Sequence, residues 1–190
     1  VHTGSRHLGE EVAEHYTKRA HTFLAERGLE IPYYMSYLEG DEKEAYTEDV
    51  QTVQDYAELN RQVIVREILK GMKWKAVEQF SVAHNYLDAS GVLRKGAIAA
   101  EAGVRVIIPA NMRDGMILGI GLGNEDWNCS APHGSGRRLK REDVKSRYTV
   151  SDFKKEMKGI YSNCVGTDTL DEAPFAYRSL AEIAGRIRDT

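Results

Sequence analysis

One histidine of the sequence stands before a glycine-rich step and is followed by a cluster of cations. The stretch is "PHGSGRRLKR", residues 132–141. A neutral imidazole can act as a nucleophile toward phosphorus when a partner holds its second ring nitrogen, which makes His133 a candidate nucleophile. The Gly-Ser-Gly step could turn successive backbone N–H groups toward an anion. Arg137 and Arg141 could then neutralise flanking phosphates. On residue chemistry alone, a surface loop followed by a basic helix start explains the stretch equally well.

Two further histidine motifs could contribute metal or phosphate contacts. In "HTGSR", residues 2–6, small residues allow the backbone to turn closely, and Arg6 can contact a phosphate through two N–H groups. "AHNYLD" places His84 in a predicted strand or loop, where an imidazole could ligate a metal. Each motif also has a structural interpretation, namely a tight turn for the first and a hydrogen-bonded buried histidine for the second.

Two glycine-containing motifs remain ambiguous or are excluded by their context. "GIGLGN", residues 119–124, has the glycines of a dinucleotide-binding turn but is followed by "EDWN" and not by a helix start. The sequence therefore predicts a close backbone turn there and not a dinucleotide fold. "LRKGA", residues 93–97, sets two cations before a glycine and predicts either an oxyanion contact or a solvated strand edge.

Composition limits the classes of protein to which the chain can belong. It has 190 residues, 42% hydrophobic and 29% charged, as expected for one globular domain with a sizeable core. No apolar run approaches the roughly 18 residues that span a bilayer, and the first residues do not resemble a signal peptide. Two cysteines, Cys129 and Cys164, make no disulfide framework, so we expect a cytoplasmic protein with no membrane partner. The net charge of −3 means that any polyanion binding must come from local clusters.

Hydrophobic spacing predicts helices at the start of the chain and short strands after them. Apolar residues recur at helical spacing over 9–27, with Gly28 as the C-terminal cap, and 41–72 is predicted as one long amphipathic helix. From residue 91 onward, glycines separate short stretches rich in β-branched residues, which predict short strands: "GVLRKGAIAA", "VRVIIPA" and "GMILGIGLG".

The last part of the chain is predicted to contain short helices. One could begin within "SGRRLKREDVKSRY", and another is predicted over "SDFKKEMKGI", with Ser151 or Asp152 near its start. A third begins at about Ser179. Helices first, then a glycine-rich β region, then helical pieces predict an α+β fold and not alternating βαβ units.

Taken together and in order, these motifs resemble the C-terminal part of the RtcB family of RNA ligases, in its bacterial branch. The matching stretches extend over nearly all of residues 1–190: "VHTGSRHLG", "NRQ" at 60–62, "HNY", "RKGAI", "IIPANMRDG", "GLGNEDWNCSAPHGSGR" and "LDEAPFAYR". The resemblance implies a partial RtcB-like α+β fold, with long N-terminal helices followed by a glycine-rich sheet region.

The resemblance also implies roles for individual residues. His133 matches the histidine that attacks the α-phosphate of GTP and becomes guanylylated. His2 and His84 match Mn²⁺ ligands. Arg6 and Arg141 match arginines that contact RNA phosphates. The positions that match nucleotide-contacting residues, the last of them near the guanine, are Asn85, Asn111, Gly134, Ser135 and Tyr177.

By resemblance, the expected activity joins RNA ends bearing a 2′,3′-cyclic phosphate or 3′-phosphate to a 5′-hydroxyl, with GTP and Mn²⁺ as cofactors. The RNA partners would be tRNA halves or damaged RNA. The family's Asp and Cys metal ligands and an Asn-His pair lie upstream of the "HTGSR" motif, and its C-terminal guanine-contacting lysine has no counterpart after "RIRDT". We therefore expect residues 1–190 to be a fragment of such a ligase. The alternative is a non-catalytic nucleotide- or RNA-phosphate-binding module, or a subunit completed by another chain.

Overall fold

The computed structural model describes residues 1–190, which form two compact units. The first unit comprises Val1–Ser81 and Tyr86–Gly91, and the second comprises Val82–Asn85 and Val92–Thr190. Each unit has its own buried residues. None of the helices is both long enough and apolar enough to cross a membrane.

The first unit is a pair of helices joined by a short connection. Helix α1 is Arg6–Glu26, a 3₁₀ turn covers Tyr33–Met35, and helix α2 is Gly40–Met72. Both predicted long helices are thereby confirmed, although α1 begins three residues earlier than its apolar spacing indicated. The chain leaves α1 through Gly28, whose φ of +75° is the left-handed conformation expected of a glycine cap.

One face of α1 carries the buried residues of this unit. Tyr16, Ala20 and Leu24 are spaced by four, which places them on one side of the helix, and all three are buried. The hydroxyl of Tyr16 donates a hydrogen bond of 2.7 Å to Asp49 of α2. Arg19 of α1 also forms an ion pair with Glu42 of α2. The helix pair is therefore held by an apolar stripe together with polar contacts between the two helices.

Short strands dominate the first part of the second unit and confirm the predicted β region. β4 and β5 pair antiparallel, with Ile107 opposite Leu118 and an irregularity between Pro109 and Asn111. β3 and β6 also pair antiparallel, with Ile98 opposite Ala131. The bounds of the strands are β1 Asn85–Leu87, β2 Leu93–Lys95, β3 Ala97–Ala99, β4 Arg105–Asn111, β5 Gly115–Ile120 and β6 Ser130–Pro132.

The core beneath these strands follows the alternation of strand side chains. Val106, Ile108 and Ala110 of β4 are buried, while the residues between them are less so. Val106 and Ile108 belong to the same core as Ile98 of β3 and Ile183 of the last helix. Because Ile98 is part of this core, its side of β3 is the side that faces inward.

A second core lies among the short helices. Helices α3 (Arg141–Arg147), α4 (Val150–Glu156) and α5 (Leu180–Arg186) appear where short helices were predicted. The buried residues of this core are Val144, Phe153, Met157, Leu170, Ala173 and Ala176.

Helix α4 is capped at its start, as predicted. Its N-cap is Thr149, and Asp152, one of the two residues predicted near the start, takes part in the cap. The Thr149 hydroxyl accepts the Asp152 N–H at 3.2 Å, and an Asp152 carboxylate oxygen accepts the Thr149 N–H at 2.9 Å. This capping box satisfies two backbone donors at once, because the aspartate stands three residues after the threonine.

Phe153→Ala should lower the free energy of unfolding by about 3 kcal/mol or more, because it removes a fully buried ring and leaves a cavity. Guanidinium denaturation followed by circular dichroism would measure the change. Tyr161→Ala is the matched control, since Tyr161 is 95% exposed and should leave the midpoint unchanged. Equal midpoints for the two variants would contradict the assigned core.

Candidate functional site

The pairing of β3 with β6 places Gly96 directly opposite His133. Ala97 pairs with Pro132, so the residue before β3 and the residue after β6 face each other across the ladder. The backbone N–H of His133 lies 3.4 Å from the Gly96 oxygen, and ring atom Nδ1 lies 2.5 Å from the same oxygen. The sheet register therefore sets the position of the candidate nucleophile.

This contact determines where the ring proton lies. A carbonyl oxygen can only accept a hydrogen bond, so Nδ1 of His133 must carry a hydrogen for the contact with Gly96 to be favourable. In the neutral ring the lone pair is then on Nε2. His133 is exposed, so that nitrogen is available to an electrophile or a metal ion.

Glycine at position 96 meets two requirements of this site. Its φ is +66°, in the region that side-chain-bearing residues rarely adopt, and a Cβ there would lie 3.4 Å from the His133 ring. The Gly96 N–H donates to the His84 carbonyl at 2.8 Å and to the side-chain oxygen of Asn85 at 3.0 Å. Two oxygens thus accept hydrogen bonds from the N–H of Gly96, whose carbonyl contacts His133.

Arg94 braces the strand that leads into Gly96. It is 4% exposed, and its guanidinium contacts Glu101 at 3.0 Å and the Ser130 hydroxyl at 3.0 Å. The "LRKGA" motif predicted an oxyanion contact or a solvated strand edge, and the oxyanion that Arg94 contacts is the Glu101 carboxylate of the same chain. The partner carboxylate seven residues later gave no signal in the sequence. Lys95 is the exposed cation of the motif.

The second unit brings two histidines of the sequence motifs together. The rings of His84 and His133 have centroids 4.9 Å apart and planes inclined by 31°. His84 is thus in place to put an imidazole beside the candidate nucleophile. No group of three or more His, Cys, Asp or Glu side chains is arranged to hold a metal ion. The donors of this chain therefore do not complete a metal centre by themselves.

His2 and Arg6 lie in the first unit, His2 in the segment before α1 and Arg6 as the first residue of that helix. Arg6 is exposed and has a φ of +55°, which is uncommon for a residue with a side chain. Arg61 of α2 donates to the Thr3 carbonyl at 3.2 Å, and the Asn60 amide lies 3.5 Å from the Gly4 carbonyl. The "NRQ" motif, for which the sequence indicated no role, thus fastens the "HTGSR" loop to α2.

The loop after His133 is tied to β4 through Ser135. Its N–H donates to the Pro109 carbonyl at 3.0 Å, and its hydroxyl donates to the Ala110 carbonyl at 2.7 Å. The side chain is buried, so both polar groups are used within the fold. The predicted run of successive N–H groups facing an anion is interrupted here. Gly134 and Gly136 are the two residues of the step whose N–H groups make no hydrogen bond within the chain.

Arg137 is a structural residue in this fold. Its guanidinium donates to the carbonyls of Leu139 at 3.1 Å and Asp171 at 2.5 Å, and to the Tyr177 hydroxyl at 3.2 Å. These bonds occupy the donors that the sequence had offered for a phosphate. They join the loop after His133 to the segment around residue 171.

Arg141 is paired with carboxylates, although it is largely exposed. Its guanidinium forms ion pairs with Asp171 and Glu172. The hydrogen bond from Arg141 lowers the pKa of the Asp171 carboxyl below its ordinary value. A phosphate that binds Arg141 has to compete with these two anions. Arg138 and Lys140 are exposed and form no ion pair within the chain.

The two remaining expected nucleotide contacts also use their polar groups within the chain. Asn111 caps the β4–β5 turn, where its oxygen accepts the N–H groups of Arg113 at 3.0 Å and Asp114 at 2.9 Å. The Tyr177 hydroxyl donates to Glu172. Burial raises the pKa of Tyr177, and the neighbouring Glu172 carboxylate raises it further. Both residues therefore shape the loops around the site.

With this geometry in place, comparison with known proteins identifies the family. The sequence profile described as tRNA-splicing ligase RtcB matches residues 1–189. The chain belongs to the RtcB family. Among its relatives, RNA-splicing ligase RtcB1 of Escherichia coli is 28% identical, over 95% of this chain and 49% of the relative.

Two other RtcB relatives give the same picture. RNA-splicing ligase RtcB2 of Escherichia coli is 31% identical, over 96% of this chain and 48% of the relative. The tRNA-splicing ligase RtcB of Pyrobaculum aerophilum is 26% identical, over 96% of this chain and 46% of the relative. The chain thus spans about half the length of the curated relatives that it matches.

Asp171→Asn should reduce the acid sensitivity of folding. A carboxyl whose pKa is lowered in the folded state contributes stability above its ordinary pKa, about 3.9, and loses that contribution as the pH falls through the folded value. Denaturation midpoints of the parent chain should therefore fall between about pH 5 and pH 3, and those of the variant should fall less. Asp168→Asn changes an exposed carboxylate nearby and is the control. Identical pH slopes for the parent and Asp171→Asn would refute the pairing with Arg141.

Proposed function

We propose that this RtcB chain carries the nucleotide-accepting part of an RNA ligase, with His133 as the residue that takes GMP from GTP. The whole enzyme then joins RNA ends bearing a 2′,3′-cyclic phosphate or 3′-phosphate to 5′-hydroxyl ends. The observation that carries the proposal is the contact of Nδ1 with the Gly96 carbonyl, which leaves Nε2 of an exposed ring as the nucleophilic atom. Membership of a family whose relatives are named RNA-splicing ligases supports the reaction class.

In the first step, the lone pair of Nε2 of His133 forms a bond to the α-phosphorus of GTP. The bond from that phosphorus to the oxygen bridging to the β-phosphate breaks, and pyrophosphate leaves with the electron pair. The ring keeps its Nδ1 hydrogen and becomes positively charged. The Gly96 carbonyl then accepts a hydrogen bond from a cation, which is stronger than the bond from the neutral ring.

In the second step, an oxygen of the RNA 3′-phosphate attacks the phosphorus of the histidine-bound GMP. The phosphorus–nitrogen bond breaks and its electron pair returns to Nε2 of His133, which restores the neutral ring. The RNA 5′-hydroxyl then attacks the activated 3′-phosphate, loses its proton and displaces GMP. The histidine serves as a temporary acceptor because its nitrogen is both a good nucleophile and a good leaving group.

We assign the negative groups of GTP to the donors that the fold leaves available beside His133. The N–H groups of Gly134 and Gly136 are such donors, while Ser135 between them holds the loop. A glycine is favoured at 136 by its φ of +67°, which residues with a side chain rarely adopt. Asn111 and Tyr177 would act near the nucleotide by fixing the loops that surround it.

In the proposed enzyme the metal would be Mn²⁺, to which His84 and His2 would each offer an imidazole ligand. A bound divalent ion would polarise the α-phosphate and offset its developing charge. Two imidazoles leave most coordination positions of such an ion open. Arg6 and Arg141 would bind RNA phosphates. The two free cysteines favour a cytoplasmic site of action.

A second candidate function is a non-catalytic module that binds RNA phosphates or nucleotides, or a subunit completed by another chain. The absence of a complete group of metal donors favours it. The loop of residues 133–136 and the exposed cations Arg138 and Lys140 would serve phosphate binding without bond making.

Labelling with GTP separates the two functions. Incubation of the chain with GTP carrying ³²P at the α-position and with Mn²⁺ should give an acid-labile protein label, because phosphorus–nitrogen bonds hydrolyse in acid. His133→Ala should abolish the label. His7→Ala, which changes an exposed histidine on α1, should retain it.

The same experiment can contradict the proposal. A label that persists undiminished in His133→Ala would exclude His133 as the acceptor. No label in the parent chain, together with retained binding of 3′-phosphorylated RNA in a fluorescence anisotropy assay, would support the non-catalytic module.

A further inference from the structure

We propose that Asn85 is a positioning residue that selects the nitrogen with which His133 reacts, acting through the backbone of Gly96. This inference rests on the proposed function of His133 as a nucleophile. The resemblance gave Asn85 a contact with the nucleotide, whereas its observed hydrogen bond is to the Gly96 N–H at 3.0 Å. In this role, that hydrogen bond helps to orient the Gly96 carbonyl toward the His133 ring.

The backbone of Gly96 needs neighbouring contacts to hold it in one conformation. Gly96 lies between β2 and β3, and without a side chain it has more accessible backbone conformations than any other residue. Its carbonyl can point at Nδ1 of His133 only if both φ and ψ are fixed. On the C-terminal side, the pairing of Ala97 with Pro132 fixes the chain.

The N-terminal side of Gly96 is fixed by two acceptors. The His84 carbonyl lies 2.8 Å from the Gly96 nitrogen, and the Asn85 side-chain oxygen lies 3.0 Å from it. His84 and Asn85, which are adjacent in the sequence, therefore both accept a hydrogen bond from the N–H of Gly96. With the Ala97 pairing on the other side, they leave the carbonyl of Gly96 one direction, toward the ring of His133.

The direction of that carbonyl decides the tautomer. While it accepts from Nδ1, the neutral ring carries its lone pair on Nε2, away from the backbone. If the Gly96 peptide turned away, the hydrogen could move to Nε2 and the lone pair to Nδ1, which lies against the chain. An attack on phosphorus would then start from the hindered nitrogen. Asn85 thus acts on the reaction without touching the nucleotide.

A pair of substitutions separates this role from a nucleotide contact. Asn85→Leu has a similar size but lacks the acceptor oxygen, so Gly96 should be held by one acceptor in place of two. Asn85→Asp keeps an acceptor oxygen at the same position and should restore the positioning. Asn163→Leu, at an exposed asparagine elsewhere in the second unit, is the control.

The primary measurement is the ¹⁵N spectrum of the His133 ring in the chain without nucleotide or metal. It is recorded at about pH 9, well above the ordinary pKa of histidine. The parent chain, Asn85→Asp and Asn163→Leu should show the form protonated at Nδ1. Asn85→Leu should show a mixture of both neutral forms. Because no GTP is present, the result is independent of whether the chain transfers GMP.

The second measurement is the transfer of GMP, with the attachment site read from ³¹P and ¹⁵N shifts of the product. Asn85→Leu should slow the transfer about tenfold, the factor for about 1.4 kcal/mol of lost orientation, and the parent should be modified on Nε2. Asn85→Asp should be faster than Asn85→Leu.

Three results would overturn the inference. The first is a parent ring protonated at Nε2, and the second is a parent modified on Nδ1. The third is an Asn85→Leu variant with the parent tautomer and a lost transfer, since that combination is expected of a direct nucleotide contact. Failure of the GTP labelling with the expected ring tautomers would refute the proposed function and leave the positioning of the ring supported.

Discussion

A carbonyl oxygen has no hydrogen to give, so its approach to a histidine ring determines the protonation of that ring. The Gly96 oxygen, 2.5 Å from Nδ1 of His133, imposes this constraint, and the fold around the site serves to maintain it. The pairing of β3 with β6 sets the two residues opposite each other. The core residue Ile98 anchors β3, and buried Arg94 anchors the strand before it. A backbone group can act as the orienting partner of the imidazole because the strands hold it rigidly.

The loop that follows His133 is preorganised by bonds to two different parts of the second unit. Ser135 is bonded to β4 through its N–H and its hydroxyl, and Arg137 is bonded to the carbonyl of Asp171. These contacts use polar groups that the sequence predicts as ligand contacts, so those groups are not available to a ligand. In return, the hydrogen bonds make the loop rigid. A site held in one geometry does not have to be ordered when the ligand arrives.

Long periodic segments were predictable from the sequence, and contacts between distant residues were not. The helix over 41–72 follows from its unbroken apolar spacing, and the strands around 105–120 follow from β-branched residues between glycines. β6 was missed because its three residues, Ser130–Pro132, are too few to show an alternation. Thr149 was not identified as the N-cap because a serine and an aspartate lay close to it. The adjacency of His84 and His133 depends on strand pairing, which no local pattern contains.

Ion pairing within the chain decides which cations of the basic run after His133 are available to a ligand. By residue type, Arg137 and Arg141 were the natural phosphate ligands, yet both are engaged within the chain. Arg141 pairs with the carboxylates of Asp171 and Glu172. Arg137 pairs with the Glu172 carboxylate and donates to the backbone carbonyl of Asp171. These carboxylates neutralise the part of the run nearest the second core. The cations without an ion pair are Arg138 and Lys140, exposed toward solvent. In the proposed enzyme, an incoming polyanion would therefore meet these two charges first, and it would reach Arg141 only by displacing a carboxylate that is itself stabilised in its charged form. Long-range attraction and the final phosphate contact would thus fall to different residues of one run.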